Sequence, residues 1–137
     1  MALQLSETVR NARLDAIETA VGASAVLKIY DLTAGAPANC AAAITGTVLA
    51  TLSLPSDWMT AAASGSKAKT GTWQDASADA AGTADFFRLF ASDGTTCHLQ
   101  GTVTATGGGG DLTLDNASIA SGQSVTITGF TLTDANA

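Results

Sequence analysis

The apolar residues of this chain change period at Gly22, and that change constrains the fold more than any other feature. Before Gly22 they recur at helical spacing; after it they fall on alternate positions, broken by Gly- and Asp-rich turns. In the first segment Ser6 is a natural N-cap, Glu7 places a negative charge in the first turn, and Gly22 supplies the stop. Stepping 100° per residue from Val9 gathers Glu7, Thr8, Asn11, Asp15, Glu18 and Thr19 on one polar arc. Val9, Ala12, Leu14, Ala16, Ile17, Ala20 and Val21 fill the other, with Arg10 and Arg13 inside it. Two readings of those arginines are open. They snorkel along the apolar stripe with heads in water, or the helix packs on another subunit whose acids take the guanidinium forks.

The remainder reads as strands. In "SAVLKIYDL" (24–32) Leu27 and Ile29 share one face and Val26, Lys28 and Tyr30 the other. "TAGAPANCAAAITG" (33–46) is an irregular alanine-rich connector. "TVLATLSL" (47–54) aligns Val48, Ala50, Leu52 and Leu54, and Pro55 ends it. "PSDWMTAAASGS" (55–66) is a turn with room for one short helical turn. A strand through Trp73 and a small-residue loop follow, and Trp58 and Trp73 are core pieces whose N–H groups need partners.

"FFRLFASDGTTCHLQ" (86–100) is a β-hairpin. A two-residue Asp93-Gly94 turn would pair 90 with 97 and 88 with 99. A three-residue loop, Ser92-Asp93-Gly94, would pair 87 with 99 and 89 with 97, and it separates polar from apolar residues better. "GGGGD" (107–111) is a loop, and the slip between Val125, Ile127 and Phe130, Leu132 at Thr128-Gly129 is what a β-bulge produces. Seven or eight short strands after one amphipathic helix give a mainly β protein: an antiparallel β-sandwich, jelly-roll or immunoglobulin-like, with an open barrel as second choice. The expected organisation is a helical arm at 1–22 and a sandwich domain at 23–137.

Composition narrows the partners. Six basic residues against twelve acids give a net charge of −6, which argues against nucleic acid and against anionic membranes. The start lacks a basic, then apolar signal segment, and no run nears the roughly 18 apolar residues of a membrane span, so the expectation is a soluble chain made in the cytoplasm. Much of the 46% hydrophobic content is alanine, leaving a thin core of the kind often stabilised by neighbours in an assembly.

The chemistry of an enzyme is missing from the sequence. His98 is the one histidine, and as a strand neighbour of Cys97 it points to the opposite face, which makes a Cys–His pair a poor candidate. No GxSxG, HExxH or P-loop pattern occurs, and the glycine run lacks the Lys-Ser/Thr of a phosphate cradle. "DGTT" and "DLTLDN" offer oxygens to calcium but without EF-hand spacing. No cofactor and no metal is therefore expected. Cys40 and Cys97 read as two small buried thiols, with a disulfide as the alternative if the mature protein lives outside the cell.

The stretches "LSETVRNARLDAIETAVGASAVLKIY", "GTVLATLSLPSDWM" and "GTTCHLQGTVTATGGGGDLTLDNASIASGQSV" resemble a group of small virion structural proteins of tailed bacteriophages. The resemblance spans nearly the whole chain and rests on structural strings rather than a catalytic signature. It implies a capsid- or tail-associated β protein in many copies, with other copies of itself and major capsid or tail proteins as partners. Within it, Phe86, Arg88 and Phe90 form a candidate subunit contact, aromatic and Arg anchors being favoured at interface cores, unless a helix or loop of the same chain covers them. Arg10, Arg13 and Ile17 on the helix form the second. A head decoration protein is the first functional expectation; a collar or tail component, or a displayed carbohydrate- or receptor-binding module, is the alternative.

Overall fold

The computed structural model describes residues 1–136, so the last residue of the expected sandwich domain, Ala137, lies outside the described residues. One helix, α1 (Glu7–Val21), precedes ten strands: β1 (Val26–Leu32), β2 (Gly46–Ser53), β3 (Ser66–Ala68), β4 (Gln74–Asp75), β5 (Gly82–Thr83), β6 (Phe86–Phe90), β7 (Cys97–Ala105), β8 (Leu112–Leu114), β9 (Ser118–Ile119) and β10 (Val125–Thr133). Helix α1 begins and ends on its sequence signals: Ser6 Oγ accepts from Val9 N–H at 3.3 Å, and Gly22, at φ +89°, donates to Glu18 O at 2.8 Å.

Eight strands form one sheet in the order β2-β1-β6-β7-β8-β10-β3, with β4 also on β10; β5 and β9 make a second, two-stranded sheet. This is the mainly β, sandwich-type architecture that the alternation predicts. All ladders are antiparallel except β7 with β8. That parallel return is compressed into residues 106–111, where a Cβ on Gly108 would lie 2.7 Å from the Thr104 side chain and one on Gly110 2.9 Å from Thr104 N. The glycine run is there because the loop folds back on its own strand.

The core runs through Leu27, Ile29, Leu52, Leu89, Leu112, Leu114 and Val125, all at most 1% exposed. Trp58 and Trp73 meet at a 55° tilt with ring centroids 6.0 Å apart within it, Trp73 meets Phe130 at 5.6 Å, and Phe130 meets Phe87 edge-on at 5.8 Å. Both indoles find partners: Trp58 Nε1 donates to Gly22 O and Trp73 Nε1 to Thr70 O, each at 3.0 Å. The strand expected through Trp73 is instead two short pieces, β3 and β4, with Trp73 between them.

The bulge in β10 falls where the sequence slips, between Ile127 and Gly129. A second bulge was not legible. In β2 the register jumps from Ile29↔Ala50 to Tyr30↔Val48, so Leu49 is the extra residue and is fully buried while Val48 is half-exposed. The expected alignment of Val48 with Ala50 is corrected accordingly. The outer edge of β2 is fastened rather than free: Thr51 N–H donates to Asp75 Oδ2 (3.0 Å) and Asp79 N–H to Leu49 O (2.7 Å).

Candidate interaction surfaces

Helix α1 packs with its polar arc inward. The segment 59–65 runs beneath it with unpaired backbone N–H groups, and four helix side chains accept them. Met59 N–H donates to Glu18 Oε1 (3.2 Å), Ala62 N–H to Asp15 Oδ1 (3.0 Å), Gly65 N–H to Asn11 Oδ1 (2.9 Å) and Ser64 N–H to Glu7 Oε1 (3.0 Å). Spacings of four, four and three residues put these acceptors on one line of the helix. Lys67 of β3, 3% exposed, completes the seam: its Nζ donates to Asp15 Oδ1 and Thr60 O at 2.7 Å and lies 2.8 Å from Glu18 Oε2. Burial works against the Lys67 charge, but the hydrogen bonds and charges of Asp15 and Glu18 outweigh it and leave its pKa raised. Chiefly through the bond from Lys67, and then that from Ala62 N–H, the Asp15 carboxyl is lowered.

The consequence lies on the other side. Of the apolar arc only Leu14 and Val21 are buried and Ile17 is half-buried, while Val9, Ala12, Ala16 and Ala20 face outward. Arg10 turns inward, while Arg13 keeps its side chain 61% exposed with its head at the surface. Arg10 Nη1 donates to Asp134 O at 2.9 Å, and Arg13 Nη1 pairs with Asp134 Oδ2 at 3.2 Å, so the chain's own C-terminal segment takes both forks. The Arg10 Nε is buried without a partner. Between α1 and the end of β10 runs a groove of about 400 Å³ with Leu14, Ala16 and Ile17 along its apolar side.

The β6 face is the reverse case. Phe86, Arg88 and Phe90, expected at a subunit contact, are 3%, 5% and 6% exposed, which corrects that expectation. The connector at 33–45 covers them, and Arg88 holds it there. Arg88 Nη2 donates to Asn39 O (2.9 Å) and Ala42 O (2.8 Å), and its Nε to Gln100 Oε1 (3.2 Å). Gln100 Nε2 in turn donates to Pro37 O at 2.8 Å. Cys40 is joined to Cys97 in a disulfide, Cα–Cα 5.5 Å, so the reading as two free thiols is also corrected. Tyr30 is buried on this face, and its phenol pKa is raised by burial, against the opposing charge of Arg88.

At its turn end the hairpin keeps the 90–97 pair of the Asp93-Gly94 register, and beyond it follows neither anticipated register. Phe90 pairs with Cys97, then the ladder slips so that Leu89 meets Leu99 and Arg88 meets Gln100. His98 occupies the slip and is exposed. The turn itself is held by Asp93, whose carboxylate accepts from the N–H groups of Thr95 and Thr96, both at 2.8 Å, and from the Thr96 hydroxyl. The acids weighed for calcium serve as similar backbone caps: Asp111 accepts from Thr102 N–H and Oγ1, and Asp115 from Asn116 N–H.

The seam on Lys67 was the feature that sequence reading missed, although Glu7, Asn11, Asp15 and Glu18 were sorted together on one arc. Comparison with family models, with curated proteins and with solved structures finds no match for this chain.

Proposed function

We propose that the protein is a structural component of a tailed-phage virion, a head decoration or minor capsid protein that coats or stabilises the head lattice. The observation that carries this reading is the orientation of α1, whose polar side is bonded to the body while Val9, Ala12, Ala16 and Ala20 are left to a neighbour. The large apolar side chains exposed among the described residues, Met1, Leu3 and Val9, all lie on or just before this helix. An apolar patch of this kind marks an interaction surface. The Cys40–Cys97 disulfide suits a particle that persists outside the reducing cell, and the resemblance to small virion proteins points the same way.

A displayed sugar-binding module fits less well, since sugar stacking needs exposed aromatic faces and Trp58, Trp73 and Tyr30 are at most 4% exposed. The test is the mass of the purified chain by light scattering, alone and with purified phage heads. Saturation of the heads in hundreds of copies is expected. A stable ring without head affinity would move the protein to a collar or tail and overturn the decoration role.

A further inference from the structure

The eight-stranded sheet has a gap in it. Strand β8 is three residues long and pairs with β7 only from Val103 to Ala105, and with β10 only as far as Phe130. Beyond Leu112 the sheet position between β7 and β10 is unfilled by any strand among the described residues. Residues 97–101 of β7 and 131–133 of β10 flank this gap on its two sides. Their opposite edges are taken by β6 and β3. At the gap lies a cavity of about 180 Å³ lined by Phe87, Leu99, Phe130 and Leu132 together with the polar Gln100, Asp111 and Thr131, and a neighbouring groove of about 350 Å³ shares Asp111, Phe130 and Thr131 with it. Leu99 and Leu132 are only partly buried against the core, as side chains at an unfinished edge would be.

We infer that this slot receives the exposed residues 1–4 of a second copy of the chain as an added β-strand. Residues Met1–Leu5 precede α1 outside any element and carry apolar side chains at 1, 3 and 5, the period of a strand with one buried face. Met1 and Leu3 are 116% and 84% exposed, so the chain's own fold gives them nothing to cover. An extended arm laid between two strand edges gains main-chain hydrogen bonds along with pockets for alternate side chains. The chain's own arm is poorly placed to serve. It leaves from α1, which packs on β3 at the far side of β10, and Leu5 N–H is tethered to Asn136 Oδ1 at 2.7 Å. An arm passed from copy to copy is a head-to-tail contact, which closes a ring or extends a chain according to the rotation between copies. The inference rests on this geometry alone and is the same on a head, a collar or a tail.

The experiment is sedimentation of the full chain over a range of concentrations, with hydrogen exchange read at residues 97–101 and 131–133. Self-association is expected, with protection of both segments that grows with concentration. Leu3→Asp, at an exposed position that cannot disturb the fold, is expected to weaken association at least tenfold and to abolish that added protection. A synthetic peptide of residues 1–6 in excess is expected to dissociate the wild-type assembly while protecting the same segments. A chain that stays monomeric, association unchanged by Leu3→Asp, or protection independent of concentration (the chain's own arm filling the slot) would each overturn the inference. None of these results depends on binding to heads, so failure here is separable from failure of the virion reading.

Discussion

Helix α1 and the outer face of β6 pose the same problem in sequence and solve it in opposite ways. Each carries arginine within an apolar stripe. On β6 the arginine goes inward: Arg88 is buried and four hydrogen bonds tie it and Gln100 to the connector and to each other. On α1 the Val9, Ala12, Ala16 and Ala20 part of the apolar stripe turns outward, and the carboxylates and the amide go in beside Leu14 and Val21. The difference lies in what the covering segment offers. The connector presents carbonyl oxygens at Pro37, Asn39 and Ala42, which need donors. The segment 59–65 presents N–H groups, which need acceptors, and an arc of Glu, Asn and Asp supplies them. Amphipathic pattern tells which two sides of an element differ; the unpaired groups of its neighbour decide which side is buried.

The connector's dependence on its fasteners gives the largest expected effects. The Cys40–Cys97 bridge spans 57 residues of sequence, and its loss is expected to cost about 4 kcal/mol by loop-closure entropy. Urea unfolding of the double variant Cys40→Ala, Cys97→Ala checks this. A midpoint close to wild type would mean that the connector is held by Arg88 alone. Next comes Arg88→Ala, which strands the carbonyls of Asn39 and Ala42 beneath the connector and is expected to cost about 3 kcal/mol. If Arg88→Ala were as mild as a change at the exposed Arg13, whose pair with Asp134 is worth under about 1 kcal/mol, the contrast between the two faces would collapse.

The local signals that were legible in sequence are those a single segment carries by itself. Ser6 and Gly22 bound the helix because capping needs only adjacent backbone, and the slip at Thr128-Gly129 shows because both halves of β10 face one core. Leu49 and His98 did not show as bulges. An extra residue in β2 or β7 is defined against the partner strand, and alternation in one strand is blind to it. Likewise the face of β6 was read correctly as a separate apolar face, but its cover comes from residues 33–45, whose sequence has no periodicity to say where it lies. The slot beside β7 depends on the length of β8, three residues that no pattern sets apart from the strands around it.

A middle-sized effect tests the helix seam by pH. Asp15, lowered by its bonds from Lys67 and Ala62 N–H, stabilises the fold above the ordinary carboxyl value of 3.8, and that contribution is lost as pH falls. Lys67 is raised, so its contribution is fully present below 10.5 and is lost as pH climbs beyond its folded value. The seam thus holds from about pH 4 to above pH 10. Lys67→Met is expected to cost about 2 kcal/mol at neutral pH, discounted because Asp15 is half-exposed to solvent. Asp15→Asn should flatten part of the acid limb of the stability curve, leaving the share due to Asp93 and Asp111, which are also lowered by hydrogen bonds to their caps. An acid limb identical to wild type would show that the helix is not held by this carboxylate.

The smallest stability effect sharpens the comparison furthest. If the outer stripe of α1 serves a neighbour and not the fold, Val9→Asp, 44% exposed, should leave the unfolding midpoint of the isolated chain within about 0.5 kcal/mol of wild type. Leu14→Ala, on the buried side of the same helix, should cost about 2–4 kcal/mol. The two residues are five apart and both apolar; the direction in which the helix faces sets their expected costs apart. Head binding by Val9→Asp, measured beside its stability, then reads the interface directly. Lost binding with stability intact assigns the stripe to a partner. A large loss of stability would instead mean that α1 faces the core with its apolar arc, as an ordinary amphipathic helix does, and that the polar seam on Lys67 does not form.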